Sequence, residues 1–364
     1  MTHSSNSEAA RRSAGVAAKA DPERPTIKPL ALTMGEPAGI GPDITLSAWQ
    51  SRRDYALPVF CVLGSPRVFE ARARTLDVNV PVKPVDTLED VHKVFETALP
   101  VLTIDDDYDS TPGTPSVAAA PTVINAIERA VELIAQRQAC GVVTNPIAKK
   151  VLYDTGFAFP GHTEFLAHLA GKHWAGKHVP VMMLAADVLK VVPVTVHIPL
   201  GQVVSALNSE LIVATAKITA RSLAHDFGIA KPRLALAGLN PHAGEDGTLG
   251  TEDRDIVAPA IKRLRDEGFV VTGPHPADTM FHAAARKTYD AALAMYHDQA
   301  LVPIKTLAFE RAVNVTLGLP FVRTSPDHGT AFDIAGKGTA QPESLIAAIR
   351  LAGELAARRQ MATA

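Results

Sequence analysis

Three of the thirteen histidines share a local setting: VVPVTVHIPL carries His197, LALAGLNPHAGE carries His242 and AALAMYHDQA carries His297. Each follows directly on an apolar run that reads as a buried strand. In open α/β sheets ligands gather outside the carboxyl ends of strands, so side chains placed there are able to converge. Imidazole is the commonest ligand of a catalytic divalent ion, and three protein ligands leave a coordination position for substrate. Three neutral ligands also leave the ion its full charge, which makes it a strong Lewis acid. Against this, each histidine is equally placed to be a hydrogen-bonded structural residue. The wide separations are no local motif such as H-E-x-x-H, so context alone carries the metal reading.

Further along, Lys305, Asn314 and Arg323 lie in apolar, strand-like runs, VPIKTLAF, AVNVTLG and FVRTSP. Cations in such places need partners. An arginine grips phosphate or carboxylate bidentately and a lysine adds a point charge, so an anionic substrate would satisfy both, as would an internal acidic neighbour. PGHTEFLAHLAG sets His162 and Thr163 just before a helix, with Thr163 placed as an N-cap. In GEPAGIGPDI, Gly35, Gly39 and Gly41 permit tight turns before a helix start that could cradle a phosphate, or simply form a turn; the G-x-G-x-x-G spacing is absent. SPDHGTAFDIAGKGTAQP, with His328 and Asp333, is by itself only a glycine-rich loop.

The elements that must position these groups are legible as alternating strands and helices. ALTM, PVFCVLG, GVVT, VMML, KVVPVTV, RLALAGL, DAALAMY and AVNVTLG read as strands; Val117 to Arg137, Ser209 to Phe227, Asp253 to Glu267 and Glu343 to Arg358 read as helices. Val117, Ala120, Ile124, Ile127, Val131 and Ile134 make one apolar helical stripe, and Gly228 suits a C-terminal cap. This is an α/β pattern. A length of 364 residues favours two domains, and 47% hydrophobic content suffices for a core. Residues 1–28 lack apolar periodicity and read as a disordered extension, with a transit peptide as the weaker alternative. With 36 basic and 38 acidic side chains, nothing favours nucleic acid or an anionic membrane surface. Cys61 and Cys140 sit in apolar runs and read as buried thiols, and no apolar stretch has the length of a membrane span, so the cytoplasm is the expected compartment.

Taken together, GEPAGIGPD, GHTEF, HIPL, GLNPHAGE, GP-x-PADT-x-F, AMYHDQ, VNVTLGLPF-x-RTS and DHGTA occur in the order found in the 4-hydroxythreonine-4-phosphate dehydrogenase family of vitamin B6 biosynthesis, which the chain resembles from about Leu30 to its last helix. That resemblance implies a two-domain α/β/α, isocitrate/isopropylmalate dehydrogenase-like fold. The first domain would comprise 29–155 and 305–364 and the second 156–304, with the active site in the cleft between them at a homodimer interface. It implies one divalent cation, zinc, magnesium or cobalt, on His197, His242 and His297, shared between partners. Substrate contacts would fall on His162, Thr163, Lys305, Asn314 and Arg323. HGTAFDIAGKG is similar to the nicotinamide-binding loop of β-decarboxylating dehydrogenases, which points to His328, Gly329, Thr330, Ala331 and Asp333 for NAD or NADP. Asp278 in PHPADTMF and Lys305 are the candidates for the general base, Asp278 being equally suited to a cap or turn. Ala148 departs from the family, which commonly has His or Asn there.

The implied reaction is oxidation of 4-phosphooxy-L-threonine to a β-keto acid that then loses carbon dioxide. Rival readings are a relative oxidising phosphorylated threonate or erythronate, or a cis-dihydrodiol carboxylate. From other classes come a metal-dependent hydrolase, which the HGTAFDIAG segment disfavours, and a non-catalytic metal-binding module.

Overall fold

Short runs of branched and small apolar residues make fully buried strands here. The computed structural model describes residues 27–363 apart from 106, 107 and 109, so the extension expected over 1–28 lies almost wholly outside the described residues. The strands are β1 (Leu30–Thr33), β2 (Phe60–Gly64), β3 (Val82–Val85), β4 (Leu99–Thr103), β5 (Gly141–Thr144), β6 (Val181–Ala186), β7 (Leu189–Pro193), β8 (Arg233–Ala237), β9 (Val270–His275), β10 (Ala291–Ala294), β11 (Val313–Leu317) and β12 (Val322–Pro326). They join in one sheet of order β3-β4-β2-β1-β5-β12-β11-β6-β7-β10-β8-β9.

Strands from β3 to β12 pair in parallel, as do those from β7 to β9, whereas β12–β11, β11–β6 and β6–β7 are antiparallel. The two parallel halves therefore run in opposite directions about an antiparallel seam. Helices cover both faces, which is why the central parallel strands β1, β2, β5 and β10 are buried along their whole length. The helix Ala120–Ala135 packs on β1, β2 and β5, and the helix Glu343–Thr363 packs on β12, β11, β5 and β1 from the other side. This is the expected α/β/α, isocitrate/isopropylmalate dehydrogenase-like class.

Several expectations shift in detail. Val117 is 53% exposed, outside the helical stripe, because Ser116 caps a separate short turn and Pro121 opens the helix proper. The run VPIKTLAF is no strand: it completes the helix His297–Ala308, so Lys305 is helical. Helix formation begins upstream at His297, and the internal Pro303 does not end it. Gly161, not Thr163, occupies the N-cap of the helix His162–His173, and no side chain caps that end. Gly228 does adopt a left-handed φ of 71° after the helix Ser209–His225. Strands β3 and β4 escape the sequence pattern because prolines and exposed residues break their alternation, and pairing of β4 with β2, and of β3 with β4, organises them.

GEPAGIGPD proves to be a structural turn. The amide of Glu36 donates to Pro146, that of Ala38 to the Glu36 carboxylate, that of Gly39 to the Glu36 carbonyl and that of Ile40 to Thr330. Those amides are spent inside the protein, which removes the phosphate-cradle reading for them. Arg72, ion-paired with buried Asp43, ties the turn down by donating to the Gly39 and Pro37 carbonyls. Gly35 has a φ of 74°, and a Cβ there would sit 2.5 Å from the Pro146 carbonyl oxygen. Gly35→Ala is expected to lower stability by about 2–4 kcal/mol, read as a urea midpoint shift, because left-handed strain and a backbone clash act together. An unchanged midpoint would show that the turn relaxes freely.

Candidate active site

A cleft of about 1200 Å³ opens over the antiparallel seam. Its floor follows from strand alternation. On β11 and β12, Val313, Val315, Leu317, Val322 and Thr324 turn toward the helix Glu343–Thr363, where the Thr324 hydroxyl donates to the Ala348 carbonyl. Asn314, Arg323 and Ser325 face the cleft instead. Arg323 is 4% exposed, and its guanidinium donates to the Thr144 hydroxyl (2.7 and 3.2 Å), the Thr316 hydroxyl (2.9 Å) and the Asn314 side-chain oxygen (3.4 Å). No carboxylate of the described residues pairs with it. Burial alone draws its pKa down to about 10, which leaves it charged at neutral pH. A buried cation with only neutral partners is a receptor for an anion.

Two of the three strand-end histidines meet at the far wall. The rings of His197 and His297 lie 5.7 Å apart between centroids. With metal–nitrogen bonds of about 2.1 Å, two imidazoles on one tetrahedral ion have centroids roughly 5 Å apart, so the pair fits a shared cation. His297 Nδ1 bonds the carboxylate of Asp298 at 2.7 Å, an arrangement that fixes the tautomer and leaves Nε2 as the ligand atom. His197 is held below the ordinary histidine range by burial, then by Lys149 and His297, with Glu164 opposing, and so stays neutral as a ligand must. Its backbone φ is 50°, a left-handed value uncommon for a side-chain-bearing residue.

His242 does not join them. It is exposed, in a left-handed turn over His242–Asp246, and among the described residues of one chain no three ligating side chains gather. The turn is nonetheless deliberate in construction: Asp253, 1% exposed, accepts from the amides of Leu239 and Asn240 at 2.7 and 3.0 Å.

Of the other expected site residues, His162, Thr163, Lys305, Asn314, Arg323, His328 and Gly329 line the cleft. Lys305 is anchored on Asp327 at 2.8 Å, the internal pairing that the sequence left open. His162 Nε2 and His328 Nε2 are buried with no hydrogen-bond partner among the described residues, which fits polar contact with a bound molecule. At Gly329 no atom lies where a Cβ would extend, which suits close approach of a flat ring. Thr330, Ala331 and Asp333 are not among the residues that line the cleft, the Thr330 carbonyl accepting from the Ile40 amide, and Asp278 is exposed on a short turn, also outside it. Residues that sequence reasoning passed over include Thr144, Glu164, Asp298 and Asp327. Asp298 had a signal in its place beside His297; Thr144 and Asp327 had none.

Comparison with known proteins decides the family. Residues 56–352 match the family described as pyridoxal phosphate biosynthetic protein PdxA. The chain belongs to the PdxA family. It is similar to a 4-hydroxythreonine-4-phosphate dehydrogenase of Methylorubrum populi, 56% identical over 91% of this chain and 95% of that one. A 4-hydroxythreonine-4-phosphate dehydrogenase structure from Klebsiella pneumoniae is 37% identical, covers 90% of this chain and 99% of its own, and superposes with a TM-score of 0.79. A terephthalate 1,2-cis-dihydrodiol dehydrogenase from Burkholderia xenovorans is 28% identical, covers 90% of this chain and 97% of its own, and has a TM-score of 0.60.

Burial, then Arg323 and Lys149, hold His162 well below the ordinary histidine range. The unfolded chain takes up a proton below about pH 6.5, where the folded site does not, so this residue makes stability fall as pH drops below that value. Above it both states are neutral and the contribution vanishes. Urea midpoints at pH 7.5 and 5.5 are expected to differ less in His162→Gln than in the wild type; an equal difference would mean that His162 titrates normally in the fold.

Proposed function

We propose that this PdxA-family chain oxidises 4-phosphooxy-L-threonine with NAD or NADP and releases carbon dioxide to give 3-amino-2-oxopropyl phosphate, in pyridoxine 5'-phosphate biosynthesis in the cytoplasm. The observation that carries the reading is a single cleft holding both the His197–His297 pair and the carboxylate-free guanidinium of Arg323. The relatives named above support it.

His197 and His297 would hold a zinc, magnesium or cobalt ion, with the partner's His242 completing the set in a homodimer. The ion would supply Lewis acidity to the substrate hydroxyl and the nicotinamide would accept the hydride. Arg323, steadied by Thr144 and Thr316, grips one anionic end of the substrate, with Asn314, His162 and Thr163 beside it. Lys305 Nζ, held by Asp327 at the cleft wall, is the general-base candidate on this side of the site. Asp278, the other candidate for proton transfer, would act only from a second copy. His328 and Gly329 would border the nicotinamide, with Thr330, Ala331 and Asp333 behind them shaping that loop. Residues 29–155 with 305–364, and 156–304, would be the two domains that meet at the cleft, with the helix His297–Ala308 crossing from one to the other.

A second reading, a dehydrogenase for a cis-dihydrodiol carboxylate, is favoured by the Burkholderia xenovorans structure. Following nicotinamide reduction with a panel of hydroxy acids, with and without chelator, separates the two. Metal-dependent reduction with phosphooxythreonine alone is expected. Reduction with the dihydrodiol instead would replace the first reading by the second, and hydrolysis without reduction would remove both.

A further inference from the structure

The histidine-bearing strands β7, β10 and β8 are immediate neighbours, and their backbone ladders stop short of the histidines. Pairing of β7 with β10 ends at Pro193 and Ala294, and pairing of β10 with β8 ends at Leu293 and Leu236. Past the first of these points the amides of Val194 and Thr195 still donate to the Ala294 and Met295 carbonyls, at 2.8 and 3.2 Å. Two side chains add to that backbone hold. The Thr195 hydroxyl donates to the Met295 carbonyl at 2.8 Å, reinforcing the Thr195 amide on the same oxygen at 3.2 Å. On the other side of Met295, the Gln299 carboxamide accepts from the Met295 amide at 2.6 Å and donates to the Gly238 carbonyl at 2.7 Å. Met295 is fully buried, so both of its backbone groups are held by these side chains in a place that water does not reach.

We infer that Thr195 and Gln299 are positioning residues that lace the three strand ends to the Met295 peptide and so set the spacing of His197, His297 and His242. Thr195 and Met295 each stand two residues before a histidine, and Gly238 opens the segment that Asp253 fastens before His242. Neither lacing residue lines the cleft. Ligand placement within about 0.5 Å is what a metal site demands, and groups behind the ligands commonly control affinity by about 10- to 100-fold. A cap on the helix His297–Ala308 would explain the bond from Gln299 to Met295, but not the second bond, to a carbonyl on another strand.

The inference rests on the proposed cation at these histidines, and the test separates the two. Cobalt is titrated into metal-free full-length protein and followed by its visible absorption, for the wild type, Thr195→Val, Thr195→Ser and Gln299→Met. Dissociation constants weakened roughly 10- to 100-fold are expected for Thr195→Val and Gln299→Met, with Thr195→Ser close to the wild type because it keeps the hydroxyl. Should Gln299→Met not fold, Gln299→Glu keeps the acceptor for Met295, removes the donor to Gly238 and is expected to weaken cobalt likewise. Wild-type affinity in Thr195→Val and in the Gln299 variant would overturn the lacing, as would a Thr195→Ser protein as weak as Thr195→Val. A wild-type chain that takes up no cobalt would overturn the metal reading itself, and the lacing with it.

Discussion

An Arg323→Met protein is expected to be at least as stable as the wild type and to lose nearly all use of its substrate. The side chain is a buried cation whose partners within the chain are two hydroxyls and a carboxamide, and burial works against its charge. An apolar replacement of similar length removes that cost, a change that is often neutral or stabilising at buried charged sites. The anion loses its two-pronged grip. Charged hydrogen bonds contribute roughly 1.5–3 kcal/mol each, so losing the pair costs about 3–6 kcal/mol, or roughly 10²- to 10⁴-fold in kcat/KM. Most of it should appear in KM if the anion is a remote handle gripped equally in ground and transition states. Arg323→Lys should recover little, because an ammonium cannot reach Thr144, Thr316 and a ligand in one plane. Steady-state kinetics and urea melts on the same preparations check both halves. A variant with wild-type KM would end the anion-receptor reading.

The second large effect belongs to His297→Ala. Among the described residues its side chain hydrogen-bonds only the exposed Asp298 carboxylate, so truncation should change stability by less than about 1 kcal/mol. As a ligand it matters far more. Lewis-acid stabilisation is worth several kcal/mol, so kcat/KM is expected to fall by roughly 10³-fold or more, together with bound-metal content. Asp298→Asn should cost less, since an amide oxygen still accepts from Nδ1. If His297→Ala keeps its metal and its rate, the pair of rings in the cleft is structural.

The strand-end histidines were legible because a short run of branched residues followed by a polar break describes a buried strand and its exit without any tertiary knowledge. The same logic misplaced Lys305. Its run is apolar enough for a strand, but helix formation starts eight residues earlier, at His297, and continues past Pro303. Thr163 illustrates a boundary error: the helix begins one residue before it, and Gly161, with extended backbone, takes the cap. The sheet's reversal of direction had no local mark. It arises from three successive antiparallel pairings, β12 with β11, β11 with β6 and β6 with β7, and it moves the site from a row of strand ends to the face of a seam.

By itself the order of residues determined the kinds of groups available and the elements that carry them, since strand and helix periodicity act between near neighbours. It could not determine which of two similar cations is neutralised from within. Lys305 meets Asp327 22 residues away, while Arg323 meets the hydroxyl of Thr144 across 179 residues, with Thr316 and Asn314 beside it, and no acid among the described residues. Charge pairing and desolvation are properties of neighbours in space, and only the packed sheet says who those neighbours are.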